Sequence, residues 1–226
     1  MSATAGNAAP AGRRQRNARG QGSRLTEDIV TAALSLIDRE GTQEAVTLRA
    51  VAREIGIAAP SIYAHFADRE AIVMAVIARL FDELATVVKA GRDAAGDDPV
   101  EQLVAGCESY LRFGEEHPAR YRVLFSDRRG PIPAEYFPPA ETWPSVAAVL
   151  PDGTEAFALL AGAIEACVRA GESASTDVVA DGTAIWTALH GLVTLRTALP
   201  AFPWPEPIGN FVRDIVLRLA KIATPA

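Results

Sequence analysis

The sequence is short of the groups from which most catalytic and metal sites are built. Only two cysteines, Cys107 and Cys167, and three histidines occur in 226 residues. Two separated thiols give no disulfide framework and no metal-ligand cluster, and each lies in an apolar helical pattern where a buried, inert thiol is expected. His117 and His190 lie near Glu115, Glu116 and Glu165 in a pattern with no nucleophile or metal spacing, so neither a catalytic residue nor a metal ligand nor a cofactor is assigned. No apolar run approaches the ~18–20 residues needed to cross a bilayer. The Arg-rich start lacks the apolar core of a secretory signal, so the expected location is the cytoplasm, with no membrane partner. Period-two alternation of any length is absent too, which argues against a sheet.

Acidic residues are missing from the first 24 positions, where Arg13, Arg14, Arg16, Arg19 and Arg24 sum to +5, while the remainder carries −11. A cationic arm on an acidic body fits local contact with phosphates rather than a wholly basic surface. A solvated tail is the competing interpretation of that composition. Residues 1–23 hold almost no large apolar side chains and are expected to be disordered.

Beyond the arm the periodicity is helical throughout. Ile29, Ala33, Leu36 and Ile37 line one face, and Gly41 stops that helix. Thr47 has the right chemistry to cap a second helix with Leu48, Val51, Ala52 and Ile55 on its apolar side. Gly56 breaks it, a short helix is expected from about Pro60 to Phe66, and Asp68 caps a long one. Further helices are expected near 100–116, 118–126, 153–171, 177–198 and 207–223, with a loop-rich stretch where six prolines fall between 131 and 151. The fold class is all-α: a three-helix helix-turn-helix head over 24–84 and a helical body over 85–226.

The segment from Thr47 to Ile72 places a small Ala52 where two helices cross and Ile57 and Ile62 beneath them. That leaves one face of the short helix free to enter a major groove. Spacing alone is only moderately specific, because helical hairpins are common. The combination Val51, Ala52, Gly56, Ile57, Tyr63, His65, Phe66, Arg69 and Glu70 is similar to the signature of the TetR family of transcriptional regulators. HPARYRVLF at 117–125, with Trp186, His190 and Gly191, resembles more faintly a subgroup named for a Trp-His-Gly signature.

The resemblance implies a sequence-specific DNA-binding regulator, a repressor released by a small-molecule effector. By position it assigns DNA contacts to Arg24, Thr47, Arg49, Tyr63, His65 and Arg69, with Ala58, Ala59, Pro60 and Ser61 forming the exposed start of the recognition helix. Arg69 is expected to hold a phosphate together with the helix amides behind it, and Arg49 to reach a base edge. Ala58 and Ala59 depart from the usual polar residues, which shifts readout toward thymine methyls and DNA shape. Ala67 departs from a frequent Lys, removing a phosphate contact that the Arg-rich arm offsets.

It also implies a homodimer through the last two helices on a near-palindromic double-stranded operator. Ala184, Ile185, Ala188, Leu189, Leu192, Val193 and Leu195 on one helix, with Ile208, Phe211, Val212, Ile215, Val216, Leu219 and Ile222 on the other, supply the apolar surface. Leu192 and Ile215 are the expected contact positions. The effector pocket is expected among Tyr110, Phe113, Tyr121, Phe125, Phe137, Trp143, Phe157, Trp186 and His190, and the effector itself is not readable. From another class, a helical enzyme or adaptor retaining the head as scaffold is the alternative, and DNA binding across a salt series separates the two.

Overall fold

A computed structural model of the chain describes residues 21–125 and 155–223, all helices and connections apart from one isolated bridge between Ser173 and Ile222. The arm at 1–20, the proline-rich stretch from 126 to 154, and with it Phe137 and Trp143, lie outside the described residues.

Helix α1 (Gln21–Glu40) begins inside the segment expected as arm. Its face of Ile29, Ala33, Leu36 and Ile37 is buried, and it ends where Gly41, at φ +75°, donates its N–H to the Ile37 carbonyl at 2.8 Å. A 3-10 turn over Gln43–Ala45 leads to α2 (Leu48–Glu54), whose cap is the Thr47 hydroxyl accepting from the Ala50 N–H at 3.1 Å. Gly56, at φ +69°, turns the chain with no side chain to obstruct it.

The next element differs from expectation. It is a 3-10 helix over Ala59–Ala64, beginning earlier and ending earlier than the helix read from the sequence. Ala58 offers no capping side chain, Pro60 supplies no N–H, and Ser61 N–H to Ala58 O and His65 N–H to Ile62 O close tight three-residue turns. Ile62 buries completely beneath it, with Ala52 of α2 against the same core.

Helix α3 (Arg69–Ala94), capped by Asp68 through the Ala71 N–H, is 26 residues long. At 1.5 Å per residue it spans roughly 39 Å. Its buried stripe runs from Ile72 and Val73 through Leu80 and Leu84 to Val88, so the boundary expected at 84 and 85 falls inside one continuous helix. The body adds α4 (Pro99–Glu116), α5 (Pro118–Leu124), α6 (Glu155–Arg169), α7 (Val178–Ala198) and α8 (Ile208–Leu219). Helix α4 is central, packing on α3, α5, α6, α7 and α8, and α5 bridges to both α1 and α3. Close approach at α4 requires Gly114. A Cβ there would stand 2.5 Å from Val193 Cγ1 and 3.1 Å from Tyr121 Cδ2.

Two expectations about α7 need correction. By length and composition alone this helix reaches what a membrane crossing requires, contrary to the reading that no segment does. It nonetheless carries partnered charges: Asp181 pairs with Lys221, Arg196 pairs with Glu115, and the helix packs on α4, α6 and α8. Second, Leu192 is not on a surplus face. It is buried within the monomer with Ile185, Leu189 and Val193, because those positions turn toward the neighbouring helices. The uncovered apolar side chains here are Leu195 (48% exposed), Leu199 (50%) and Phe202 (54%), with Trp186 exposed further up α7 and Ile215 on α8 half-buried.

Candidate nucleic-acid interface and aromatic cluster

The head surface is built by short-range capping. Thr47 uses a lone pair to cap α2, which leaves its hydroxyl proton available to an acceptor outside the chain. Arg49 is exposed and forms no ion pair among the described residues. Arg53, four positions on and also exposed, shares that face of α2. The family motif does not point to Arg53; its spacing from Arg49 is the available signal. Tyr63 is 60% exposed, an unusual placement for a large ring in a packed head. Ala58, Pro60 and Ser61 are exposed and Ala59 is half-buried. Arg24 is exposed on α1, on the turn before Thr26, whose hydroxyl meets His65 Nδ1 at 3.0 Å. His65 is therefore tied to α1 and half-buried.

Arg69 is more committed than its register implies. Its Nε donates to the Val46 carbonyl at 2.8 Å, Nη2 to the Gln43 carbonyl at 2.7 Å, and Nη1 pairs with Glu70 at 3.0 Å. The guanidinium locks the loop that delivers Thr47. A cleft of about 310 Å³ beside it is lined by Gln43, Glu44, Arg69 and Glu70.

The second cluster lies in the body. Tyr110 on α4 and Tyr121 on α5 share a hydroxyl contact of 2.8 Å, Tyr121 meets His190 Nδ1 at 2.7 Å, and Trp186 Nε1 donates to Tyr110 at 3.3 Å. Phe125 stands edge-on to His190 at 4.7 Å, and Phe157 edge-on to Trp186 at 6.2 Å. Six residues expected in the pocket thus converge: Tyr110, Tyr121, Phe125, Phe157, Trp186 and His190. Phe113 instead buries in the core beside His117. Burial pushes the Tyr110 hydroxyl up to about 12 and the Tyr121 hydroxyl higher still, so both remain protonated hydrogen-bonding groups. Burial also lowers the His190 pKa, favouring the neutral ring.

A guanidinium clamp links the two regions. Arg120, adjacent to Tyr121, donates from Nε and Nη2 to the two Asp38 oxygens at 2.8 and 2.7 Å, and from Nη1 to Glu83 at 2.7 Å. Arg122 reaches the Gly41 carbonyl at 3.3 Å. Both pull α5 against α1 of the head.

Comparison with known proteins settles what this architecture is. Residues 29–76 match the model for bacterial regulatory proteins of the tetR family, and residues 103–219 match a tetracyclin repressor-like C-terminal domain. The chain belongs to the TetR family. An uncharacterized HTH-type transcriptional regulator of Mycobacterium tuberculosis is 30% identical over 202 residues, covering 86% of this chain and 79% of that protein. Among solved structures, a TetR family transcription regulator from Marinobacter aquaeolei VT8 superposes with TM-score 0.61 at 16% identity, covering 89% of this chain and 98% of its own. A protein of unknown function from Rhodococcus sp. RHA1 gives 0.65 at 19% identity, covering 87% and 91%. As a TetR-family chain this is a DNA-binding transcriptional regulator, and the exposed Arg49, Arg53 and Tyr63 sit in its helix-turn-helix.

Proposed function

We propose that the protein is a cytoplasmic, homodimeric repressor that reads a near-palindromic operator and is released by a small-molecule effector. The observation that carries the DNA reading is the exposed surface of the head. Tyr63, Ser61, Pro60 and the α2 arginines stand outward around a fully buried Ile62. In this reading Thr47, Tyr63 and His65 contact phosphates, Arg49 reaches a base, and Arg24 and the arm add backbone contacts. Arg69 acts from behind, fixing the Gln43–Val46 loop so that Thr47 and the first turn of α2 meet the backbone together.

The dimer reading rests on Leu195, Leu199 and Phe202 beside the half-buried Ile208, Phe211 and Ile215, an apolar surface that the monomer leaves uncovered. The effector reading rests on the converging rings around His190. No enzymatic role is part of this reading, in which His190 belongs to the ring cluster and Glu115 pairs with Arg196.

Selection of duplexes from a random pool by the purified protein tests the proposal. An enriched sequence with two inverted halves is expected. Arg49→Ala should cost roughly 1–3 kcal/mol on that sequence and relax one base pair. Binding with no sequence preference would refute it.

A further inference from the structure

Among the described residues, the hydroxyl network around His190 has only one arrangement that satisfies all its protons. The Trp186 indole can only donate, so the Tyr110 oxygen accepts from it. Tyr110 is buried, and the acceptor within reach of its own proton is the Tyr121 oxygen at 2.8 Å. Tyr121, now accepting, passes its proton to His190 Nδ1 at 2.7 Å. Donation therefore runs Trp186 to Tyr110 to Tyr121 to His190. Were the imidazole to donate from Nδ1, Tyr121 would turn to Tyr110. The Tyr110 oxygen would then face two donors, and its own proton would have no acceptor among the described residues. A buried donor left unmade is more costly than a hydrogen bond is favourable. An imidazolium meets the same obstacle, and burial opposes it as well.

The network thus fixes the tautomer. Nδ1 is the acceptor and the proton sits on Nε2, across the ring from Tyr121. Among the described residues Nε2 has no hydrogen-bond partner. Around the imidazole are apolar rings: Phe125 edge-on at 4.7 Å, Trp186 at 6.4 Å and still 39% exposed, and Phe157 against Trp186. A single N–H donor framed by aromatic surface complements a flat apolar molecule bearing one hydrogen-bond acceptor. We infer that this cluster selects an aromatic ketone, whose carbonyl oxygen accepts from His190 Nε2–H while its rings pack on Phe125 and Trp186. The inference rests on reading the cluster as the effector site, and the experiment separates the two.

The probes are benzophenone and diphenylmethane, which share two phenyl rings and differ by the carbonyl. Binding to the full-length protein is followed by calorimetry. The ketone should bind about tenfold tighter, the effect of one net hydrogen bond. That ratio should fall toward one in His190→Phe, which keeps a ring in place. Tyr121→Phe keeps its ring but frees Nδ1, and the ratio should drop there too. Equal binding of both probes to the wild type would overturn the ketone inference and leave the effector site standing. Absence of binding by either would overturn both. Independently, long-range proton–nitrogen NMR on the three histidines should show His190, assigned by its loss in His190→Phe, as the neutral Nε2–H form. A ring protonated on Nδ1 would refute the network direction.

Discussion

The guanidinium of Arg120 joins three elements, and its contribution is measurable as a coupling. Three charge-assisted hydrogen bonds leave it, two to Asp38 on α1 and one to Glu83 on α3. In a dry interior such bonds are worth ~1.5–3 kcal/mol each, whereas fully exposed pairs give ~0.2–1 kcal/mol. The Arg120 side chain is only 19% exposed, but Asp38 and Glu83 are 39% and 35% exposed, so water screens the carboxylate ends. The worth of the clamp belongs between those limits. Arg120→Ala should cost about 2 kcal/mol in denaturant unfolding, and Asp38→Ala about 1 kcal/mol. The double variant should be less destabilised than their sum by about 1 kcal/mol, the worth of the bidentate pair. Urea titrations of all four proteins at one salt concentration give this number. Costs that add to within ~0.5 kcal/mol would refute the clamp as an energetic link between α5 and the head. A functional corollary follows from Tyr121 being the next residue. If the clamp transmits, Arg120→Ala should bind benzophenone normally yet show a smaller change in DNA affinity on binding it.

Leu195→Glu should give a folded monomer by light scattering, or unfold the chain where folding requires the partner, whereas Leu192→Glu should destabilise the body because that side chain is buried; a Leu195→Glu protein that remains dimeric would move the interface elsewhere. Deleting residues 1–20 removes Arg13, Arg14, Arg16 and Arg19 and spares α1. The log–log salt slope of DNA binding should flatten by ~0.9 for each phosphate that these arginines neutralise, and an unchanged slope would mean that the arm never touches DNA. Gly56→Ala forces a Cβ into φ +69° and should lower stability by about 1–2 kcal/mol, with Gly56→Asn milder, both read by thermal unfolding. Burial pushes the Cys107 thiol from 9.0 to about 12 and the Cys167 thiol to about 11. Both stay protonated in the folded protein while the unfolded chain ionises near 9, so stability should fall as pH rises through 9. Iodoacetamide at pH 8 should label neither thiol before denaturant is added.

What the sequence shows of this molecule follows the range of the interactions concerned. Thr47, Asp68, Gly41 and Gly56 act within four residues of themselves, and the structure has each where its chemistry directs. Boundaries of α4 and α7 follow for the same reason, from caps at Asp98 and Asp177. The recognition element is a 3-10 helix because Pro60 and an uncapped Ala58 weaken a start that periodicity alone reads as α-helical. Arg69 and Arg120 are not legible in their actual roles. Their partners are backbone carbonyls 23 and 26 positions away, and a carboxylate 82 positions away, which leave no periodic trace. The mistaken choice of Leu192 has a different origin. Helix α7 is apolar on nearly every side, so its period does not say which face the monomer keeps and which it leaves open.

The continuity of α3 bears on how such a protein can be taken apart and recombined. Head and body look like exchangeable units, and a chimera cut after Leu84 would follow the boundary expected from the sequence. That cut severs a helix in mid-run and strands Val88, which abuts Gly106 of α4, on a stub without the turn that holds it in register. A transplantable reader of DNA from this chain would extend through Ala94. It would also need a host whose first body helix offers a gap as narrow as Gly106 and a guanidinium donor to replace the hold of Arg120 on Asp38. On the proposed reading, altering the exposed positions of α2 and the 3-10 helix is the way to exchange specificity among relatives without cutting α3. Exchange of the whole head carries the full length of α3, and its contacts with α4, along with it.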